Sequence, residues 1–326
     1  MKPLLSLARS LPLFALALTT QAHALDNASL NGWTALYKGV DYTTGFATGV
    51  TSPTNSTPRS HAINAMRIDL RDPDIRFFST PGNGSVIGDT NAQTTSDFLE
   101  AYDLQVAINA NFFSPCCAAS PDPKDVLGLA ISNGSVVSPS DYNAIPPGGS
   151  AYSLALTAGN EALIKYFAPG ADVSMLYTAV SGGPLLLSDG QILVAEAPQN
   201  SFYDSNPRTA VGLSADARYL YLLTVDGRQP GYSDGATLYE TAEWLQLIGA
   251  TQGLNLDGGG STAMVRADVD GNAVLLNKPS GRVERYNANN FGLYAAALPA
   301  VPEPSAWALM MFGMLVLLAA SRRLHR

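Results

Sequence analysis

The residues whose types and spacing could do chemistry cluster in one short run, Leu254 to Thr262, Leu-Asn-Leu-Asp-Gly-Gly-Gly-Ser-Thr. A glycine inside a regular element costs about 0.5–1 kcal/mol relative to alanine, so three in succession imply a sharp turn or a close approach to the backbone. Read as a strand end, the run alternates. Leu254 and Leu256 face the core while Asn255 and Asp257 share the other face. The amide and the carboxylate therefore converge beside Gly258, Gly259 and Gly260, whose bare N–H groups suit an anion such as a phosphate. Ser261 and Thr262 either add hydroxyl donors at this turn or begin the next strand. The same residues also describe a plain turn in which Asp257 caps its own backbone.

Histidine and cysteine are too scarce to carry the chemistry. Of three histidines, His23 and His325 lie in the terminal segments, and His61, in the polar run Thr-Asn-Ser-Thr-Pro-Arg-Ser-His, is expected to be solvated. A Ser-His-Asp triad would have to use that residue, and a zinc site lacks ligands. The two cysteines, Cys116 and Cys117, are adjacent, which excludes a long-range disulfide framework and leaves either a vicinal disulfide or two thiols. Carboxylates, arginines and amides remain.

The elements that must position these groups read as α+β: a mixed, largely antiparallel sheet with flanking helices in a single catalytic domain. Residues 25–60, rich in Thr, Ser, Gly and Asn, read as an irregular leading segment. Short strands follow from Ile63, with a helical patch around Thr95 to Tyr102. Asn133-Gly134 and Asp189-Gly190, each between apolar runs, signal hairpins. A buried strand spans Tyr219 to Val225 and ends in Asp226-Gly227. A helix follows with Thr237 as N-cap, Glu240 as its capping-box partner and Gly249 as C-cap. The glycine run comes next, and the order strand, helix, strand predicts a crossover unit.

Both ends read as addresses. Residues 1–24 carry Lys2 and Arg9, an apolar run and Ala-His-Ala, the pattern of a secretory signal. Val301-Pro-Glu-Pro304 precedes an apolar run from Ala306 to Ala320 and the basic Arg322, Arg323 and Arg326. About 15 residues fall short of the roughly 20 that span a bilayer unaided, although an ordinary C-terminal anchor fits the same pattern. This tail, residues 301–326, resembles the PEP-CTERM sorting signal of Gram-negative bacteria. That resemblance implies an exosortase-type partner, transient membrane association, and export to the periplasm, outer surface or medium. Between residues 25 and 300 lie 14 Lys and Arg against 26 Asp and Glu, a balance of −12 that argues against a nucleic-acid partner.

The segments Asn-Pro-Arg-Thr-Ala-Val-Gly from Asn206, Val-Asp-Gly-Arg from Val225, Asn-Leu-Asp-Gly-Gly-Gly-Ser from Asn255, and Glu-Arg-Tyr-Asn-Ala-Asn-Asn from Glu284 resemble the phosphodiester glycosidase family, the relatives of the mannose-6-phosphate uncovering enzyme. The resemblance covers residues 61–298. It departs at Asn109-Ala-Asn-Phe-Phe113, where the family pattern is Asn-Gly-Gly-Phe-Phe, and the two side chains should narrow the backbone approach there.

This resemblance implies hydrolysis of the bond between a sugar's anomeric carbon and a phosphodiester, with N-acetylglucosamine the best-known sugar. Asp257 then becomes the expected nucleophile or general base, with Asp226 second. Arg208 and Arg228 are expected on the phosphate, because a guanidinium fork matches its oxygens. Asn255, Gly258, Gly259, Gly260, Ser261 and Thr262 would surround it. Asn109, Asn111 and the Gly182-Gly183 turn are expected to line the sugar. Nothing in the sequence requires a cofactor, although the many aspartates leave a cation such as calcium open. The rival expectation is a non-catalytic envelope protein that binds or scaffolds exopolysaccharide.

Overall fold

A computed structural model describes residues 25–84, 87–117, 120–140 and 151–299, with positions 310 and 314 besides. The secretory signal and nearly all of the sorting tail lie outside the described residues. Among those described, no helix is long and apolar enough to cross a membrane.

The expected α+β class is corrected: the described chain is mostly β. It forms four sheets, every strand pairing in them is antiparallel, and the α-helices described in the domain are α1 (Thr95–Ala101) and α2 (Leu238–Ile248). Two well-capped helices weigh heavily in a sequence reading, whereas Thr-rich strands pass for loop. Residues 25–60 show this directly. They hold Ser29–Leu30, Thr34–Tyr37, Val40–Ser52 and the start of Asn55–Asp69, where Thr and Val suit a pleated surface.

The largest sheet has nine strands. Its centre runs Val40–Ser52, Asn55–Asp69, Tyr219–Val225, Arg208–Leu213, Gln252–Asn255, Leu185–Ser188. The expected crossover is present in modified form. Tyr219–Val225 and Gln252–Asn255 run parallel, but Arg208–Leu213 lies between them and pairs antiparallel with each. Both predicted hairpin turns form, with Asn133, Gly134, Asp189 and Gly190 all at positive φ.

The large sheet is buried on both faces, so its central strands read as continuous apolar runs rather than alternating ones. Leu220, Leu222, Val211 and Leu254 face a core shared with Val106, Ile108 and Phe291 of one five-stranded sheet and Val180 of the other. Leu223, Val225 and Ala210 face the opposite way, onto Trp244, Leu245 and Ile248 of α2.

Helix α2 is capped as its sequence predicts. The Thr237 side chain accepts from the Glu240 N–H, Glu240 Oε2 accepts from the Thr237 N–H at 2.8 Å, and Gly249 takes the left-handed conformation. Glu240 does more than cap. Its buried carboxylate also pairs with Arg59 and lies 3.4 Å from His61 Nε2. His61, expected in solvent, is completely buried and accepts a 3.1 Å hydrogen bond from Trp244 Nε1. Burial alone would push the Glu240 carboxyl up, but hydrogen bonds from His61 and Arg59 hold it down at about 2.

Candidate active site

Asn255 and Asp257 come together as the strand alternation requires. Both line one cavity of about 440 Å³, shared with Phe112, Arg208, Arg228 and Arg285. The turn between them is anchored from behind. The Asp257 N–H donates to the Ala110 carbonyl at 2.9 Å, and the Asp257 carbonyl accepts from Asn109 Nδ2 at 2.6 Å. Asn109 Oδ1 in turn accepts from Thr209 Oγ1 at 2.7 Å and the Ala263 N–H at 3.1 Å. Asn109 thereby joins three strand ends and fixes where the carboxylate emerges.

The three glycines serve a purpose other than baring their amides. The Gly258 N–H donates to Asp257 Oδ1 and the Gly259 N–H to the Pro207 carbonyl, both at 2.9 Å. What the missing side chains provide is room. Gly259 has φ +62, and a Cβ there would stand 3.2 Å from Arg228 Nη2. A Cβ on Gly260 would overlap the Arg285 guanidinium. Two guanidinium groups therefore lie over the turn, next to the carboxylate, and together they form the anion-binding surface.

Charge and burial oppose each other at Asp257. It is 9% exposed, and burial pushes its carboxyl up to about 6, against the pull of the Ser261 hydroxyl, Arg285 and the Gly258 N–H. A carboxylate that titrates near neutrality can take a proton during turnover. Asn255 adds a second polar feature. Its Nδ2 donates to the Gly183 carbonyl at 2.8 Å, while its Oδ1 is buried with no hydrogen-bond partner. Leaving an acceptor buried and unpaired costs about 1–3 kcal/mol, which a ligand hydroxyl would relieve.

The remaining expected residues divide into lining and support. Arg208 lines the cavity, yet its Nε and Nη2 donate to the Ala236, Phe202 and Asp204 carbonyls. Burial lowers its pKa to about 9, and it stays charged at neutral pH. Ser261 accepts from Arg285 Nη1 at 3.3 Å, and Thr262 Oγ1 is buried without a partner. Asn111 points away from the cavity: its Oδ1 accepts from the Ser181 N–H and Asn289 Nδ2, and its Nδ2 donates to the Leu127 and Leu129 carbonyls. Neither Ala110 nor Asn111 lines the cavity, so the departure from Gly-Gly is absorbed behind the turn. At Gly182 a Cβ would collide with the Asn255 carbonyl, so that glycine lets two strands touch.

Asp226 lies outside the cavity as well. Its carboxylate accepts from Tyr232 Oη at 2.9 Å, Asn277 Nδ2 at 3.1 Å and the Lys278 N–H at 3.0 Å, and burial raises its pKa. Asn277 Nδ2 also reaches the Thr262 carbonyl at 3.2 Å. Asp226 thus ties the turn that carries Arg228 to the segment after the glycines.

Sequence reasoning missed Arg285 as a site residue. It lies inside the Glu-Arg-Tyr-Asn segment on which the resemblance rests, and that segment was its available signal. Phe202 was missed too. Its ring stands 6.0 Å from that of Phe112, and beside them runs a disulfide joining Cys116 to Cys117. Among the described residues, no group of three or more His, Cys, Asp and Glu could hold a metal ion.

Comparison with known proteins agrees with this geometry. A family model for phosphodiester glycosidase matches residues 102–294, and one for the PEP-CTERM protein-sorting motif matches residues 300–323. No curated protein sequence matches. Among solved structures, the catalytic domain of zebrafish N-acetylglucosamine-1-phosphodiester alpha-N-acetylglucosaminidase, auto-inhibited by pro-peptide, is similar at 20% identity and a TM-score of 0.61, over 82% of this chain and 88% of that one. A putative exported protein from Burkholderia pseudomallei is similar at 15% identity and a TM-score of 0.57, over 82% and 96%. A hypothetical protein from Synechocystis is similar at 17% identity and a TM-score of 0.53, over 79% and 62%.

Proposed function

We propose a reaction from the premise that the match to residues 102–294 supplies, namely that this chain belongs to the phosphodiester glycosidase family. It is a hydrolase that cleaves a sugar from a sugar 1-phosphodiester. The observation that carries this reading is a buried carboxylate, Asp257, set beside two guanidinium groups and an unpartnered amide oxygen in one cavity.

The phosphate rests against Arg228 and Arg285, and a sugar hydroxyl donates to Asn255 Oδ1. Asp257 removes a proton from a water that adds to the anomeric carbon. The bond from that carbon to the bridging oxygen breaks, and its electron pair leaves with the phosphate. A phosphate monoester has a second pKa of about 6, so it departs without a strong acid. This suits a cavity in which, among the described residues, Asp257 is the lone carboxylate. The two arginines neutralise charge as it develops, an effect that commonly accounts for about 10²–10³ in rate per donor.

N-acetylglucosamine is the first sugar to try, because the similar zebrafish enzyme carries it in its name. The sorting motif marks an exported chain processed at its C-terminus, which places phosphodiester-linked surface glycopolymers within reach. Free sugar released from a p-nitrophenyl N-acetylglucosamine phosphodiester tests the reading, with Asp257→Asn beside the wild type. Turnover that disappears in the variant is the expected outcome. Glycan binding without turnover by either protein would favour the scaffold instead.

A further inference from the structure

The cleft does not stop at the two arginines. A second cavity of about 940 Å³ shares Cys117, Arg228, Gly260 and Arg285 with the first. The two spaces therefore meet at the guanidinium pair, one on each side of it. The second lobe has a different character. It is lined by Leu275, Val283 and Tyr286, and Val283 is 74% exposed and Leu275 37%. Its other charged side chain is Glu284, whose carboxylate accepts from the Ser96 N–H and hydroxyl. Among the described residues lining it, Arg228 and Arg285 are the cations, and both belong to the waist.

A phosphodiester held at this waist has two arms, and each has a lobe to enter. We propose that the second lobe is the subsite for the alcohol arm of the diester, and that this arm is a neutral polyhydroxylated group, such as a second sugar, with an apolar face set on Val283, Leu275 and Tyr286. The inference rests on the hydrolase reading and narrows its substrate class. Size argues for an arm of sugar dimensions or more, since the second lobe is the larger. Charge argues against a nucleotide. A nucleoside diphosphate arm would carry a second phosphate beyond the waist, toward Glu284, where no further lysine or arginine lines the wall. Sugar C–H faces pack on apolar and aromatic side chains, while their hydroxyls reach groups such as the Glu284 carboxylate. After cleavage the arm leaves as its phosphate monoester.

The test compares three diesters of one sugar 1-phosphate, bearing a methyl group, a hexose joined through its 6-hydroxyl, or uridine 5′-phosphate, on the wild-type protein and on Val283→Glu and Tyr286→Ala. Neither position belongs to the reacting groups, and Val283 is exposed, so unchanged melting temperatures verify both folds. The wild type should prefer the hexosyl diester to the methyl diester by about tenfold in kcat/KM, and to the nucleotide sugar by at least as much. Both variants should lose most of that preference while turning over the methyl diester within about twofold of wild type. Equal rates for hexosyl and methyl diesters, or a nucleotide sugar turned over as fast as the hexosyl diester, overturn the proposal. If no diester reacts, the hydrolase reading fails on its own. The subsite then still stands or falls on calorimetry, by whether the hexosyl diester binds more tightly than the methyl diester and whether Val283→Glu removes the difference.

Discussion

Asp257 keeps its proton to about pH 6 because the cavity wall withdraws more solvation than Arg285 and the Ser261 hydroxyl replace. Two consequences follow, of opposite sign. As the base, Asp257 works only when ionised, so kcat/KM should fall about tenfold per pH unit below roughly pH 6. As a buried group, it favours the protonated form in the folded state: the native chain binds this proton more tightly than the unfolded one. Stability is therefore fully present near pH 4 and lost as pH rises through 6. A tenfold difference in proton affinity corresponds to about 1.36 kcal/mol, so Asp257→Asn should gain on the order of 2–3 kcal/mol at pH 8 and almost nothing at pH 4. Urea titrations at both pH values check this; a variant less stable than wild type at pH 8 would show that the charge is not strained. The convergence of Asn255 and Asp257 was legible from alternation alone. Arg285 was not, because a guanidinium that arrives from 28 positions down the chain leaves no local spacing to read.

At the scale of elements, glycines that look equivalent in the sequence act differently. A methyl on Gly260 meets the flexible end of Arg285, whereas one on Gly182 meets the backbone carbonyl of Asn255. Gly260→Ala should leave stability within about 1 kcal/mol of wild type and cut turnover roughly 10–100-fold by displacing the guanidinium. Gly182→Ala should instead cost about 1–3 kcal/mol or more, since strand backbones cannot give way. Melting and rate measurements on the pair separate the two. The cap of α2 offers a further check. Glu240 is depressed to about 2, so its contribution is present above its unfolded pKa near 4.5 and lost as pH falls toward 2. Arg59→Leu strands that buried carboxylate and should cost about 3–5 kcal/mol at pH 7, read by denaturant midpoint. The capping box itself was legible because its signal spans four residues. The partnership of Glu240 with Arg59 and His61 joins positions about 180 apart, which no local pattern encodes.

For the whole molecule, the antiparallel hairpins were readable from Asn-Gly and Asp-Gly, yet the class was misjudged. Continuous apolar runs in a sheet covered on both faces look alike whether a helix or a second sheet covers them. The covering sheets are built from strands of four or five residues, too short for a firm period. The long Thr-rich ribbon of Val40–Ser52 and Asn55–Asp69 hides for a second reason, since threonine marks loops and strands equally well.

The path of the chain through that sheet has a kinetic consequence. Asn55–Asp69 pairs with Tyr219–Val225, about 150 residues later, and the cavity draws its walls from Phe112 at one extreme and Arg285 at the other. Pairings of such high contact order make a chain fold slowly, in milliseconds to seconds or longer, and no local fragment can build the site ahead of the rest. Regained activity after dilution from denaturant should therefore track the slowest formation of β signal by circular dichroism, with no early burst. A cell that exports this chain unfolded would thus meet its hydrolytic power only after the last strand, Asn290–Tyr294, has paired on the far side of the membrane.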